Sequence, residues 1–465
     1  MQYTDKNTVK DIKIAYIGGG SRGWAWTLMN DLALAPDISG EVYLYDTDLE
    51  AAAHNAIIGS KYGCAEGALS KWSYKAVDSL SKALQDADFV IISILPATFE
   101  EMHSDVHTPE KYGIYQSVGD TNGPGGIIRA LRALPMLQQI AASVREHCPN
   151  AWVINYTNPM TLCVAMLYKE FPQIKAFGCC HEVFGTKWLL VNALEEMRSF
   201  QKLHQNDIKV NVLGVNHFTW ITDATYKNID IFPVYKEFSE KYKDTGYRQT
   251  QPITSDTPFA DAKKVKFDLF RRFGVIAAAG DRHLAEFCPG DWYLQSLDHA
   301  RSWGFNLTEV TWRKQDLATR LEKSEKLRKD EMPIVLNPES GEEGVKQIRA
   351  LLGLGDLVTN VNLPNLGQIP NLPFGAVVES NAAFRDNQLT PVFAGNIPDS
   401  IYPLITKTVG QQLLILEAVW ERDLEKAFVA FSNDNLVTLN KSDARKLFDE
   451  MVENTKAYLT DYFQQ

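Results

Sequence analysis

The sequence predicts an α/β protein, with a doubly wound parallel sheet in its first part and a mixed α+β part after it. Two observations carry this. Short apolar runs alternate with helix-like segments as far as about residue 195, and a glycine-rich loop joins the first run to the first helix. The runs are IKIAYIG (12–18), VYLYD (42–46), DFVIISILP (88–96), WVINYT (152–157) and IKAFGC (174–179). Each is nearly continuous and rich in β-branched or aromatic residues, as strands buried on both faces are. The intervening segments are long enough for crossover helices, so repeated β–α–β units follow.

Beyond residue 200 the pattern changes. Residues 209–226 read as one or two strands, 235–258 as polar and turn-rich, 259–273 as helix and 274–290 as loop. Residues 357–365 and 375–384 read as strands, and 399–433 and 442–463 as helices. Trp152 and the Leu131, Leu134, Leu137 stripe read as core.

At 465 residues the chain is long enough for two or three domains. Its 45% hydrophobic and 23% charged content is that of an ordinary globular protein. A net charge of -11 argues against non-specific binding to nucleic acid or to anionic membrane. The polar start predicts no signal peptide, and no apolar run is long enough to span a bilayer. Six cysteines are too sparse for a disulfide framework, so reduced thiols in the cytoplasm are expected.

Gly18, Gly19, Gly20, Ser21, Arg22 and Gly23 satisfy G-x-G-x-x-G, between a predicted strand and a helix-like segment at 24–35. The glycines allow the tight turn, close approach of backbone to a pyrophosphate, and tight helix–strand packing. The helix start then offers unpaired N–H groups to phosphate. Asp46 ends the second strand, placed for the ribose hydroxyls of NAD, where it would repel the 2′-phosphate of NADP. The bland alternative is a glycine turn without a ligand.

Cys180 and His181 end the last predicted strand, at the sheet edge where ligands bind. Thiolate and imidazole both suit divalent transition metals; a buried thiol beside a hydrogen-bonded histidine is the alternative. His217, in GVNHFTW, and Asn158, in NYTNP, also follow strand-like runs and could converge on the same point. Asp281 and His283 share AAAGDRHLAEF, a loop-like stretch that is either a functional cluster or a solvated turn. Asp120 lies in SVGDTNGPGG, whose glycines allow either a ligand or a simple turn.

Taken in order, Gly18–Ser21, Asn158-Pro159, Cys180-His181, Gly214-Val215-Asn216-His217 and Gly280-Asp281 resemble glycoside hydrolase family 4 over nearly the whole chain. That resemblance implies an NAD-dependent glycosidase that uses manganese. It implies a Rossmann-type NAD domain at 1–195. Residues 196–465 would form a substrate-, metal-binding and oligomerisation domain similar to that of lactate and malate dehydrogenases. Cys180 and His217 match the metal ligands, Asn158 a substrate contact, Asp281 the base and His181 the acid position. Asp120 and Arg282 are further substrate-binding candidates. The implied reaction oxidises the sugar at C3, removes the C2 proton, eliminates the group on C1, then adds water and returns the hydride.

The residues Cys180-His181-Glu182-Val183 are similar to the pattern of the α-galacturonidases in that family. An α-glucuronidase, α-galactosidase or α-glucosidase is the alternative within the family. Outside it stand a malate- or lactate-type dehydrogenase and a non-catalytic dinucleotide sensor. A uronate carboxylate calls for arginine, and Arg282, Arg129 and Arg22 are candidates. Glu182 would repel such a substrate unless paired or turned away. The resemblance also implies a homodimer or homotetramer.

Overall fold

The structure is a computed structural model that describes residues 1–4, 7–247 and 259–463. A short β1 (Gln2–Thr4) pairs antiparallel with β2 (Thr8–Ile17). Then come β3 (Ile38–Tyr45), β4 (Trp72–Ala76), β5 (Phe89–Ile92), β6 (Trp152–Asn155) and β7 (Lys175–Gly178). Strands β2 to β7 are parallel, in the spatial order β4-β3-β2-β5-β6-β7. The winding reverses between β2 and β5. In such a sheet the ligand crevice opens beyond the carboxyl ends of the strands at that switch point.

The five apolar runs are all strands, as expected. β4 went unread because only Trp72 and Tyr74 alternate into the core while Ser73 and Lys75 face water, too short a pattern to stand out. Behind the sheet runs the Gly123–His147 helix, with Leu131, Leu134 and Leu137 fully buried.

The second half contributes to two sheets. β8 (Ile208–Val215), β9 (Phe218–Tyr226), β10 (Ile229–Asp230) and β11 (Ile276–Ala277) form a small antiparallel sheet around β9. β12 (Leu357–Pro364), β13 (Val377–Arg385) and β14 (Gln388–Pro391) return to the large sheet. β12 pairs antiparallel with β7, with Asn362 opposite Gly178. The strand that leads to Cys180 is therefore interior to the sheet, flanked by β6 and β12. β13 also reaches the small sheet, where the Asn381 amide donates to the Val210 carbonyl at 2.7 Å.

Three other expectations change. Residues 274–290 are not a plain loop: β11 lies there, followed by the Asp281–Phe287 helix, which starts after Gly280. Residues 235–242 belong to the Phe232–Tyr242 helix, and 248–258 lie outside the described residues. The helix read at 399–433 is two, Tyr402–Glu421 and Leu424–Ser432, separated at Arg422, whose φ is 57°. Among the described residues no helix is long and apolar enough to cross a membrane.

Candidate active site

The chain segments that carry the predicted residues leave the strand ends on one side of the sheet. Gly18 follows β2, Asp46 follows β3, Asn158 follows β6 and Cys180 follows β7. His217 sits in the tight turn between β8 and β9.

The glycine loop fits a dinucleotide. Gly18 has φ +93°, and a Cβ there would lie 2.0 Å from the Ser93 carbonyl oxygen, so only glycine fits. The Trp24–Ala33 helix starts at Gly23 with no side-chain cap and no acid in its first turn. Its free N–H groups are thus left for an anion. Asp46 turns toward the loop, accepting the Gly20 N–H at 2.8 Å and the Asp48 N–H at 3.0 Å. Asn55, unnoticed in the sequence, pins the loop by donating to Gly19 at 2.7 Å and Ser21 at 2.9 Å. Ser21 closes the turn onto Gly18 at 3.0 Å. The Arg22 carbonyl accepts from Arg320 at 3.2 Å.

His217 is buried, and its Nδ1 lies 3.3 Å from the Thr121 hydroxyl. That hydroxyl donates to Asp120 at 2.7 Å. It therefore accepts from Nδ1–H, which leaves the Nε2 lone pair of His217 open for a cation. Burial, then His283, holds the His217 imidazole down to about 3, so it is neutral as a ligand must be. The Glu182 backbone N–H and the amide of Asn216, the residue before His217, lie near enough to the Cys180 thiol to favour its ionised form. Burial and then Glu379 and Glu182 push this thiol well up; a divalent cation reverses that balance and binds the thiolate. Thiolate and imidazole are a donor pair for a divalent d-block ion. Among the described residues no three His, Cys, Asp or Glu side chains gather to hold a metal. Cys180 and His217 are of the donor types that such an ion takes.

Glu379 of β13 orders this corner and gave no sequence signal. It accepts from Asn216 at 3.1 Å, Thr219 at 2.6 Å and Asn360 at 2.7 Å. Asn360 also reaches the Cys180 carbonyl at 3.4 Å.

Asn158 shows its backbone oxygen to Arg129 Nε at 3.1 Å, while its side-chain oxygen is buried without a partner. That acceptor is left open to a further partner. Burial would raise the carboxyl of Asp120, but Arg129, then His283 and His217, hold it down to about 2. Glu182 is opposed by burial in the same way and held down to about 2 by His283, His217 and His181. It also accepts the Gly280 N–H at 2.7 Å.

Asp281 does not join them. Its carboxylate is fully buried and accepts the N–H groups of Val265 at 3.1 Å and Lys266 at 3.0 Å. It caps the Lys264–Phe273 helix. Each of its two oxygens is thus engaged by one backbone N–H. Burial, then Asp261, pushes its carboxyl up to about 8. From the same short helix it is His283 that enters the site, stacked on His217 with ring centroids 3.9 Å apart. Its Nε2 lies 3.8 Å from Glu182, and its Nδ1 is buried with no partner.

His181 is half exposed and pairs through Nδ1 with Glu342 at 3.1 Å, which raises its imidazole above the usual range. Arg282 is buried, donating to Ser117 O at 2.6 Å and to the Thr308 hydroxyl.

The sequence pattern described as Family 4 glycosyl hydrolase matches residues 13–196, and its C-terminal domain matches 212–437. The chain belongs to glycosyl hydrolase family 4. Within the family it is 59% identical to an alpha-galacturonidase of Thermoanaerobacterium saccharolyticum, over 99% of this chain and 98% of that one. An alpha-galacturonidase of Bacillus subtilis is 49% identical, over 96% and 98%. The crystal structure of a Bacillus subtilis protein described as a glucosidase, lplD, superposes with TM-score 0.91 at 50% identity. It covers 95% of this chain and all of that one. The same fold recurs at 22% identity in a 6-phospho-beta glucosidase of Thermotoga maritima with manganese, NAD+ and glucose-6-phosphate (TM-score 0.75, 96% and 99% covered).

Proposed function

We propose that this family 4 glycosidase hydrolyses α-galacturonides. The observation that carries the reading is its 59% identity, over 99% of the chain, to an alpha-galacturonidase. The Cys180-His181-Glu182-Val183 run at the end of β7 supports it.

NAD on the Gly18–Gly23 loop, with Asp46 at its ribose, would supply a reversible hydride acceptor for the sugar. A divalent metal such as manganese, held by Cys180 and His217, would supply Lewis acidity to the sugar oxygens. Asn158 and Asp120 orient hydroxyls through an orphaned amide oxygen and a firmly ionised carboxylate. His283 removes the C2 proton through Nδ1. Burial keeps its imidazole neutral, and Glu182 steadies the other ring nitrogen. His181 carries a proton under the influence of Glu342 and delivers it to the departing oxygen. We assign the protein to the cytoplasm and to a homodimer or homotetramer. Exposed Phe374, Phe393 and Leu366, 78%, 69% and 60% accessible, offer an apolar surface for assembly.

Incubation with NAD, manganese, a thiol reductant and an aryl α-D-galacturonide tests the reading. Release of the phenol without growth of NADH absorbance is expected. Net NADH would mean a dehydrogenase, and preference for an α-galactoside or α-glucuronide would move the substrate within the family.

A further inference from the structure

Helix Val310–Arg328 is polar on almost every face and carried no sequence signal. Two of its arginines, Arg313 and Arg320, lie two turns apart on one side. Arg320 is committed: its Nε pairs with Asp316 at 2.6 Å and its Nη1 donates to the Arg22 carbonyl at 3.2 Å. Arg313 is not. Its Nε is buried, and among the described residues its guanidinium has no hydrogen bond or ion pair.

The other arginines nearby use their Nη groups or their Nε on partners, although the Nε atoms of Arg132 and Arg282 are also buried without one. Arg132 is spent on Asp105, inside the core. Arg129 holds the Asn158 carbonyl, and Arg282 holds Ser117 and Thr308. The guanidinium groups of Arg313 and Arg282 share the ring of Phe259, at 5.3 and 5.2 Å from its centroid. Two like charges on one ring repel, and no carboxylate bridges them among the described residues. Glu286 accepts the N–H groups of Val118 and Gly119, at 2.7 and 2.9 Å, rather than either guanidinium. Asp120 acts on both arginines, beside Asp316 on Arg313 and Glu286 and Asp261 on Arg282, and it answers first to Arg129. The corner next to Asp120 and Asn158 therefore holds surplus positive charge and an unused planar fork, at the edge of the sugar site.

We propose that Arg313 is the clamp for the substrate's sugar carboxylate, with Arg282 reinforcing its charge. A guanidinium fork matches a carboxylate in two parallel hydrogen bonds, which a neutral hydroxymethyl group at the same carbon cannot return. This rests on the galacturonide reading and gives that reading its specificity residue. The Phe259 ring fixes the plane of the fork before substrate arrives.

The test compares wild type, Arg313→Gln and Arg313→Lys, each with NAD and manganese. Calorimetry measures binding of D-galacturonate and D-galactose, and kinetics use their aryl α-glycosides. For Arg313→Gln, galacturonate binding weakens about thirtyfold. The KM for the galacturonide rises in step, kcat stays within about threefold, and galactose binding does not move. Arg313→Lys recovers only part of the loss, because charge returns without the fork. Should either variant, with its melting curve intact, keep the wild-type preference for galacturonate over galactose, the clamp lies elsewhere. Failure of the wild type to take galacturonate would overturn the substrate reading itself, and is seen before any variant is made.

Discussion

The imidazole of His283 lies stacked on that of His217, with ring planes 21° apart. Asp281, on the same short helix, points the other way and caps the next helix through Val265 and Lys266. The two side chains therefore part roles. His283→Ala should lower kcat by at least about a hundredfold with NAD affinity unchanged. Asp281→Asn keeps one acceptor oxygen and should keep activity within about tenfold, while its melting temperature falls by a few degrees. Steady-state kinetics with parallel thermal melts separate them. A dead but fully stable Asp281→Asn would return the base role to that carboxylate.

Glu379 touches none of the reacting atoms but holds Asn216, Thr219 and Asn360 around the Cys180–His217 corner. Glu379→Gln replaces one acceptor with a donor in a buried network. Manganese affinity should drop about ten- to a hundredfold, with NAD affinity retained. Metal titration followed by calorimetry reads this directly. Cys180→Ser should go further, losing metal and turnover together while still binding NAD.

Asp46 holds the Gly20 N–H, so it shapes the loop besides the ribose contact proposed for it. Asp46→Asn should weaken NAD about tenfold and narrow the gap between NAD and NADP. Fluorescence titration with both nucleotides is sufficient. An unchanged NAD-to-NADP ratio would remove Asp46 from the ribose.

Stability should depend on pH through two buried acids. Burial pushes Asp281 and Glu286 each up to about 8. A raised carboxyl binds its proton in the native state but not in the unfolded one. Its contribution is complete at low pH and is lost as pH climbs through 8. The lowered histidines His217 and His283 act in the opposite sense, but only below their ordinary value of 6.5. From pH 6.5 to 8, metal-free protein should thus lose stability by up to about 1.4 kcal/mol per pH unit for each acid. Glu286→Gln should flatten that slope; an equally steep melting curve in the variant would exclude Glu286 as a source.

The parallel strands were legible because burial on both faces leaves a continuous apolar run that needs no partner to be seen. The glycine loop was legible for a related reason: Gly18 must avoid Ser93, and that demand is local. Cys180, His217 and Asn158 stood out through motif order, and Asp120 through the glycines around it. Their supports did not. Asn55, Glu379 and Arg313 act across long stretches of chain, and nothing in their neighbouring residues encodes what they meet. A carboxylate after Gly280 looks the same in sequence whether it caps a helix or faces a sugar. Only the direction of the helix that starts there separates Asp281 from His283.

The antiparallel contact between Asn362 of β12 and Gly178 of β7 has a bearing on synthesis. Until residue 362 has left the ribosome, β7 presents bare N–H and C=O groups on one flank, the kind of border that invites stray strands. The cysteine that follows it would sit on unfinished scaffolding for most of translation. A fragment stopped at residue 195 should accordingly precipitate or demand chaperones, and the metal corner should close only when the late strands dock.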